Sequence, residues 1–169
     1  EDALAQLRGG LRDDSVYLLG RVQIGTELCG LGGPQEGNSE LEQVLRIDPR
    51  FGPALGLLGR EHAIHGRLNE ALALAEQTYA AIPRHPNAAG FLAGMLWRTG
   101  NVTSSRRVLA SLENDNAWAL PRAQAEFHIV SGEVEKAFEP IAAAIELRDP
   151  GVWLLFNGTS GNLLRSAPR

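Results

Sequence analysis

The stretch that decides the fold is residues 52–83, GPALGLLGREHAIHGRLNEALALAEQTYAAIP. Leu55, Leu58, Leu68, Leu72 and Leu74 recur there at helical spacing, and Gly59 and Ala71 are small enough to let two antiparallel helices approach closely. Gly66-Arg67-Leu68 divides the run into two helices, and Pro83 ends it. Pro49 and Pro83 lie 34 residues apart, as do Gly25 and Gly59, and Gly32, Gly66 and Gly100 recur at the same interval. A shared period of this length predicts a stack of helical hairpins, because one hairpin cannot bury its apolar face alone and its neighbours complete the core.

The unit resembles the tetratricopeptide repeat, whose pattern is W-x2-L-G-x2-Y, then A-x3-F, then P. Leu55 stands at the Trp position, Leu58-Gly59 reproduce Leu-Gly, His62 replaces Tyr, Ala71 is the signature Ala, Ala75 replaces Phe, and Pro83 closes the unit. Ile24-Gly25, Leu28, Gly32 and Pro49 fall in register one unit upstream. Leu92-Ala93, Leu96, Gly100 and Leu109 do so one unit downstream. A fourth copy, shortened by two residues, aligns His128, Gly132, Ala137, Ile141 and Ala144. The resemblance covers about residues 15 to 150. It implies an all-α, right-handed superhelical solenoid with units at 18–51, 52–85, 86–117 and 118–150.

Residues 1–14, with Leu4, Leu7 and Leu11 at helical spacing, are expected to be the second helix of a preceding partial unit. The chain begins at Glu1 and its sole Met is Met95, so it is read as a piece of a longer protein. Residues 151–169 are expected to cap the last helical pair, since Val152-Trp153-Leu154-Leu155-Phe156 can cover its open end. The C-terminal stretch is also similar to the tails that close repeat regions in bacterial multidomain regulators. Fifteen of the sixteen basic residues are Arg, a bias associated with GC-rich bacterial genomes.

Composition excludes several function classes. A net charge of −4 gives no basic footprint for nucleic acid, and Arg106-Arg107 is too short a run to supply one. No apolar run approaches the roughly 18 residues of a membrane span. Cys29 is the only cysteine, so no internal disulfide forms, a reducing compartment is permitted, and a cytoplasmic location is expected. Cys29 has no evident base beside it and reads as a buried or groove-lining thiol. Gly30-Leu31-Gly32-Gly33-Pro34 lacks the Gly-Lys-Ser/Thr of a phosphate loop and is an enlarged turn. Glu61-His62-Ala63-Ile64-His65 could offer half a metal site, but His62 and His128 hold the same position in different units, too far apart to share one ion. No cofactor is expected.

In the family the first helix of each unit lines a groove. The resemblance places Val22, Thr26 and Cys29, then Arg60, Ala63 and Ile64, then Asn87, Trp97 and Arg98, then Arg122, Glu126 and Ile129 on its wall. The Lys/Asn/Arg set of the chaperone-binding carboxylate clamp is absent. Arg60, Ile64, Asn87, Trp97, Arg98, Arg122 and Glu126 are the candidate partner-binding residues, suited by guanidinium contacts and apolar packing to an acidic or extended peptide. The small Gly56, Gly90 and Gly94 either leave room for a ligand or mark close helix packing. The expected function is a non-catalytic protein-interaction scaffold, in the manner of a regulator's tail. The alternative is a structural or homo-oligomerisation module. An enzyme ranks last, since no set of nucleophile, base and oxyanion donors is present.

Overall fold

The computed structural model describes residues 4–6, 9, 17–113 and 117–168, and within them it is helical with no strand. Residues 4–6 and 9 are helical, and the rest of the expected N-terminal helix lies outside the described residues. The helices are α1 (Leu18–Gly30), α2 (Pro34–Ile47), α3 (Gly52–Ile64), α4 (Leu68–Ala81), α5 (Pro86–Arg98), α6 (Val102–Glu113), α7 (Leu120–Ser131), α8 (Phe138–Glu146) and α9 (Gly158–Ser166). Short 3-10 turns cover Ala117–Ala119, Val134–Ala137 and Val152–Phe156.

Four turns repeat one geometry. Gly32, Gly66, Gly100 and Gly132 have φ of 89°, 78°, 86° and 87°, a left-handed conformation that L side chains resist. In each, the following amide bonds back to the helix: Gly33 to the Leu28 carbonyl, Arg67 to His62, Asn101 to Leu96 and Glu133 to His128, at 2.9, 2.9, 2.8 and 2.9 Å. These are Schellman caps, which satisfy helix-end carbonyls and reverse the chain. Prolines mark the opposite ends. Pro34, Pro53, Pro86 and Pro121 lie in the first turns of α2, α3, α5 and α7, where a missing amide proton leaves no broken bond. Asn101 adds a side-chain cap, its Oδ1 accepting the Ser104 amide at 3.2 Å.

The fourth hairpin departs from the others at its second helix. Pro140 cannot donate to the Lys136 carbonyl and its ring crowds that group, so Val134–Ala137 forms a 3-10 turn before α8 begins.

The core is laid down in series. Val22, Leu41, Val44, Ala54 and Leu58 join the first two hairpins. Ala63, Ala71, Ala75, Phe91, Met95 and Val130 form the next cluster, and Ala89, Leu112 and Ala123 another. Helix α5 is the central element, with every residue from Pro86 to Leu96 buried. It packs closely on α7 because Gly90 and Gly94 leave no side chain in the way. A Cβ on Gly90 would run into the Ala123 carbonyl, and one on Gly94 would meet Val130 Cβ at 2.9 Å. These two glycines therefore serve packing. Gly56 differs, since a Cβ there would find Thr78 Cγ2 at an ordinary 3.4 Å.

Candidate functional site

Helices α1, α3, α5 and α7, the first of each hairpin, face a partly enclosed cavity of about 420 Å³. Val22 and Thr26 line it from α1, Gly56 and Arg60 from α3, Asn87 and Ala88 from α5, and Glu126 from α7. Thr78, Ile82 and His85 add a wall from α4 and the turn that follows. The remaining wall is the chain's own C-terminal segment, through Trp153, Leu154, Asn157 and Ser160.

That segment is anchored at two places. Leu155, 1% exposed, and Leu164 pack with Ala125, Ile129 and Ile141 against the last hairpin. After an extended Asn157, α9 then runs against α1. Asn162 Nδ2 donates to the Gly30 carbonyl at 2.7 Å, and a Cβ on Gly30 would come within 3.0 Å of Gly158 Cα. The segment thus covers the last hairpin and also returns to the first, which turns an open groove into a bounded pocket.

The candidate residues divide into three groups. Arg60, Asn87 and Glu126 line the cavity. Arg60 Nε donates to Glu126 Oε1, with the Arg60 guanidinium carbon 5.5 Å from the Phe91 ring centre. Arg122 lies behind Asn87, 5% exposed. Its Nε donates to Asp149 Oδ2 at 2.8 Å and its Nη1 to Asn87 Oδ1 at 3.1 Å, while Asp149 Oδ1 accepts the Gly151 amide at 2.8 Å. Ile64, Trp97 and Arg98 form the third group, away from the cavity lining. Arg98 Nη1 donates to the carbonyls of Ala63 and Val130 at 3.0 and 3.3 Å, joining the C-terminal ends of α3 and α7, where helix dipoles favour a cation. Trp97 is 37% exposed and meets Phe127 edge to face at 5.8 Å.

The picture of a row of open guanidiniums is therefore corrected. Arg60 and Arg122 are each engaged by a buried carboxylate, because a desolvated cation requires a partner. Ala63 and Ile129, also expected on the groove wall, are buried core residues. Val22 and Thr26 do face the cavity, and Cys29 lines a narrow crevice beside it. The expectation missed Tyr17, Leu19, His85 and the C-terminal wall. The apolar run Val152–Phe156 was the available signal, but its contact with the first hairpin depends on a chain reversal that no local pattern encodes.

Burial shifts three titratable groups toward their neutral forms. Burial lowers the His85 pKa, reinforced by the nearby Arg122 and Arg60. Burial also lowers that of His62, with Arg67 adding to the effect. Burial pushes the Cys29 thiol up to about 12, with Glu61 contributing. A thiol held protonated is a poor nucleophile. Among the described residues no three His, Cys, Asp or Glu side chains gather in a metal-ligating group, and no helix is long and apolar enough to cross a membrane.

No curated protein matches the chain. Residues 62–125, from within α3 to within α7, match the family model of the tetratricopeptide repeat. The match spans two of the four Schellman turns, and the hairpins on either side continue the same geometry. Over residues 62–125 the chain is thus similar to the tetratricopeptide repeat.

Proposed function

We propose that this protein is a non-catalytic interaction scaffold that binds an apolar segment of a partner protein across the mouth of the cavity. Tetratricopeptide repeats are in general protein–protein interaction modules and typically non-catalytic. The observation that carries the reading is the composition of the mouth. Tyr17, Leu19, Trp153 and Leu154 all border the cavity and are 48%, 54%, 52% and 41% exposed. Large apolar side chains gathered at one opening mark a contact surface, and aromatic anchors carry most interface energy. Arg60, Asn87 and Glu126 lie deeper and give a partner side chain a polar floor. Trp97, with Ile64 and Arg98 beside it, offers a further contact on the same row of first helices.

The reading is tested by probing a peptide array with wild type and with a Trp153→Ser/Leu154→Ser variant, whose altered side chains are exposed. Peptides rich in Leu, Ile or Phe are expected to bind wild type and to lose about tenfold or more in affinity with the variant. Equal binding by both proteins removes the mouth as the working surface. A size that grows with concentration and is abolished by the same variant would favour the oligomerisation reading.

A further inference from the structure

We propose that the cavity is itself a binding site for an uncharged, mainly apolar small molecule, held between the first helices and the returning C-terminal segment. The proposal uses the same cavity as the partner-protein reading and goes beyond it, because a free small molecule would fill that space with no partner protein present.

Size, enclosure and charge lead to it. A volume of about 420 Å³ falls within the range of small-molecule sites, roughly 300–1,000 Å³. Apolar surface closes the space from several elements: Val22 on α1, Leu57 on α3, Ile82 after α4, Ala88 on α5, and Trp153 and Leu154 on the C-terminal segment. Polar side chains line it too, and several of them are already engaged within the protein. Thr78 is already bonded to the Leu74 carbonyl at 2.7 Å, and Thr26 to that of Val22 at 2.8 Å.

The charges choose the ligand. Among the described residues the one Arg or Lys in the lining, Arg60, is held by Glu126, and burial lowers the His85 pKa and so favours its uncharged form. Glu27 also lines the cavity and has no ion-pair partner among the described residues. Among the described residues, an anion entering this space meets the Glu27 carboxylate and no free cation. Phosphorylated and carboxylated ligands are therefore disfavoured, and an apolar molecule gains from leaving water.

Two probes with one skeleton provide the test. N-phenylnaphthylamine is neutral, and anilinonaphthalene sulfonate adds a negative charge to the same rings. Fluorescence titration of the purified chain is expected to show saturable one-to-one binding of the neutral probe and at least about fivefold weaker binding of the sulfonate. Gly56→Leu fills the cavity from a helical position with room for a Cβ, and is expected to weaken the neutral probe about tenfold or more while the melting temperature holds. Trp153→Ala removes an exposed wall residue and is expected to weaken it too, which covers the case in which Gly56→Leu fails to fold. Glu27→Gln is expected to narrow the gap between the probes. Absence of neutral-probe binding, equal binding of both probes, or undiminished binding by a folded Gly56→Leu protein would overturn the proposal.

Discussion

The Asn162 side-chain amide donates to the Gly30 carbonyl at 2.7 Å, across 132 residues of chain. Gly30 is the last residue of α1, where helical carbonyls lack partners within the helix. A side chain from the last helix fills one of those valences, so the first hairpin and the chain end stabilise each other. The bounded pocket depends on this closure.

Asn162→Ala is expected to loosen that contact without unfolding the hairpins. One hydrogen bond contributes about 0.5–1.5 kcal/mol. Hydrogen exchange should quicken in α9 and at the C-terminal turn of α1, while α5 stays protected. Unchanged exchange in α9 would show that apolar packing alone holds the segment.

Two glycines in first helices should respond oppositely to a methyl group. Gly90→Ala drives a Cβ into the Ala123 carbonyl and is expected to cost about 1–3 kcal/mol. Gly56→Ala meets only ordinary contacts and is expected to stabilise by about 0.5–1 kcal/mol through higher helix propensity. Denaturant melts of the two variants decide the matter, and equal effects would contradict the packing described for α5 on α7.

The Arg122–Asp149 pair is enclosed, at 6% and 0% side-chain exposure. Asp149→Ala strands a guanidinium and is expected to destabilise by about 3–5 kcal/mol. Replacing both partners, as in Arg122→Met/Asp149→Leu, is expected to recover part of that loss. A double-mutant cycle with no coupling would disprove the pairing.

Cys29 is expected to react slowly with disulfide reagents at neutral pH, since burial and Glu61 push its thiol up to about 12. Denaturant should restore the reactivity of an ordinary cysteine. Fast labelling of the native protein would show that the thiol is open to solvent.

Acid is expected to weaken the fold through His62 and His85. Burial lowers both below the usual 6.5, so the unfolded chain takes up protons first as pH falls. Their stabilising contribution is complete above about pH 6.5 and declines as pH falls through the lowered folded values. A His85→Gln variant should show a shallower loss of melting temperature between neutral and mildly acidic pH.

The hairpins were legible in the sequence because their causes are local. A glycine at each left-handed turn, proline at helix boundaries and leucine at helical spacing act within a few residues, and the 34-residue period repeats them. Gly32, Gly66, Gly100 and Gly132 accordingly mark the four turns from sequence alone. The seven candidate residues were legible only as positions on first helices. Whether a guanidinium there is open or paired depends on residues far along the chain. Arg60 meets Glu126 from a helix two hairpins away, and Arg122 meets Asp149 beyond the end of α8. Likewise Trp153 and Leu154 read as a terminal cap, and only tertiary structure brings them opposite Val22 and Gly56. Repetition therefore determined the helices and their pairing. The return of α9 to α1 decided the pocket, because among the described residues it rests on the Asn162–Gly30 hydrogen bond and close glycine contacts between helices that share no local pattern.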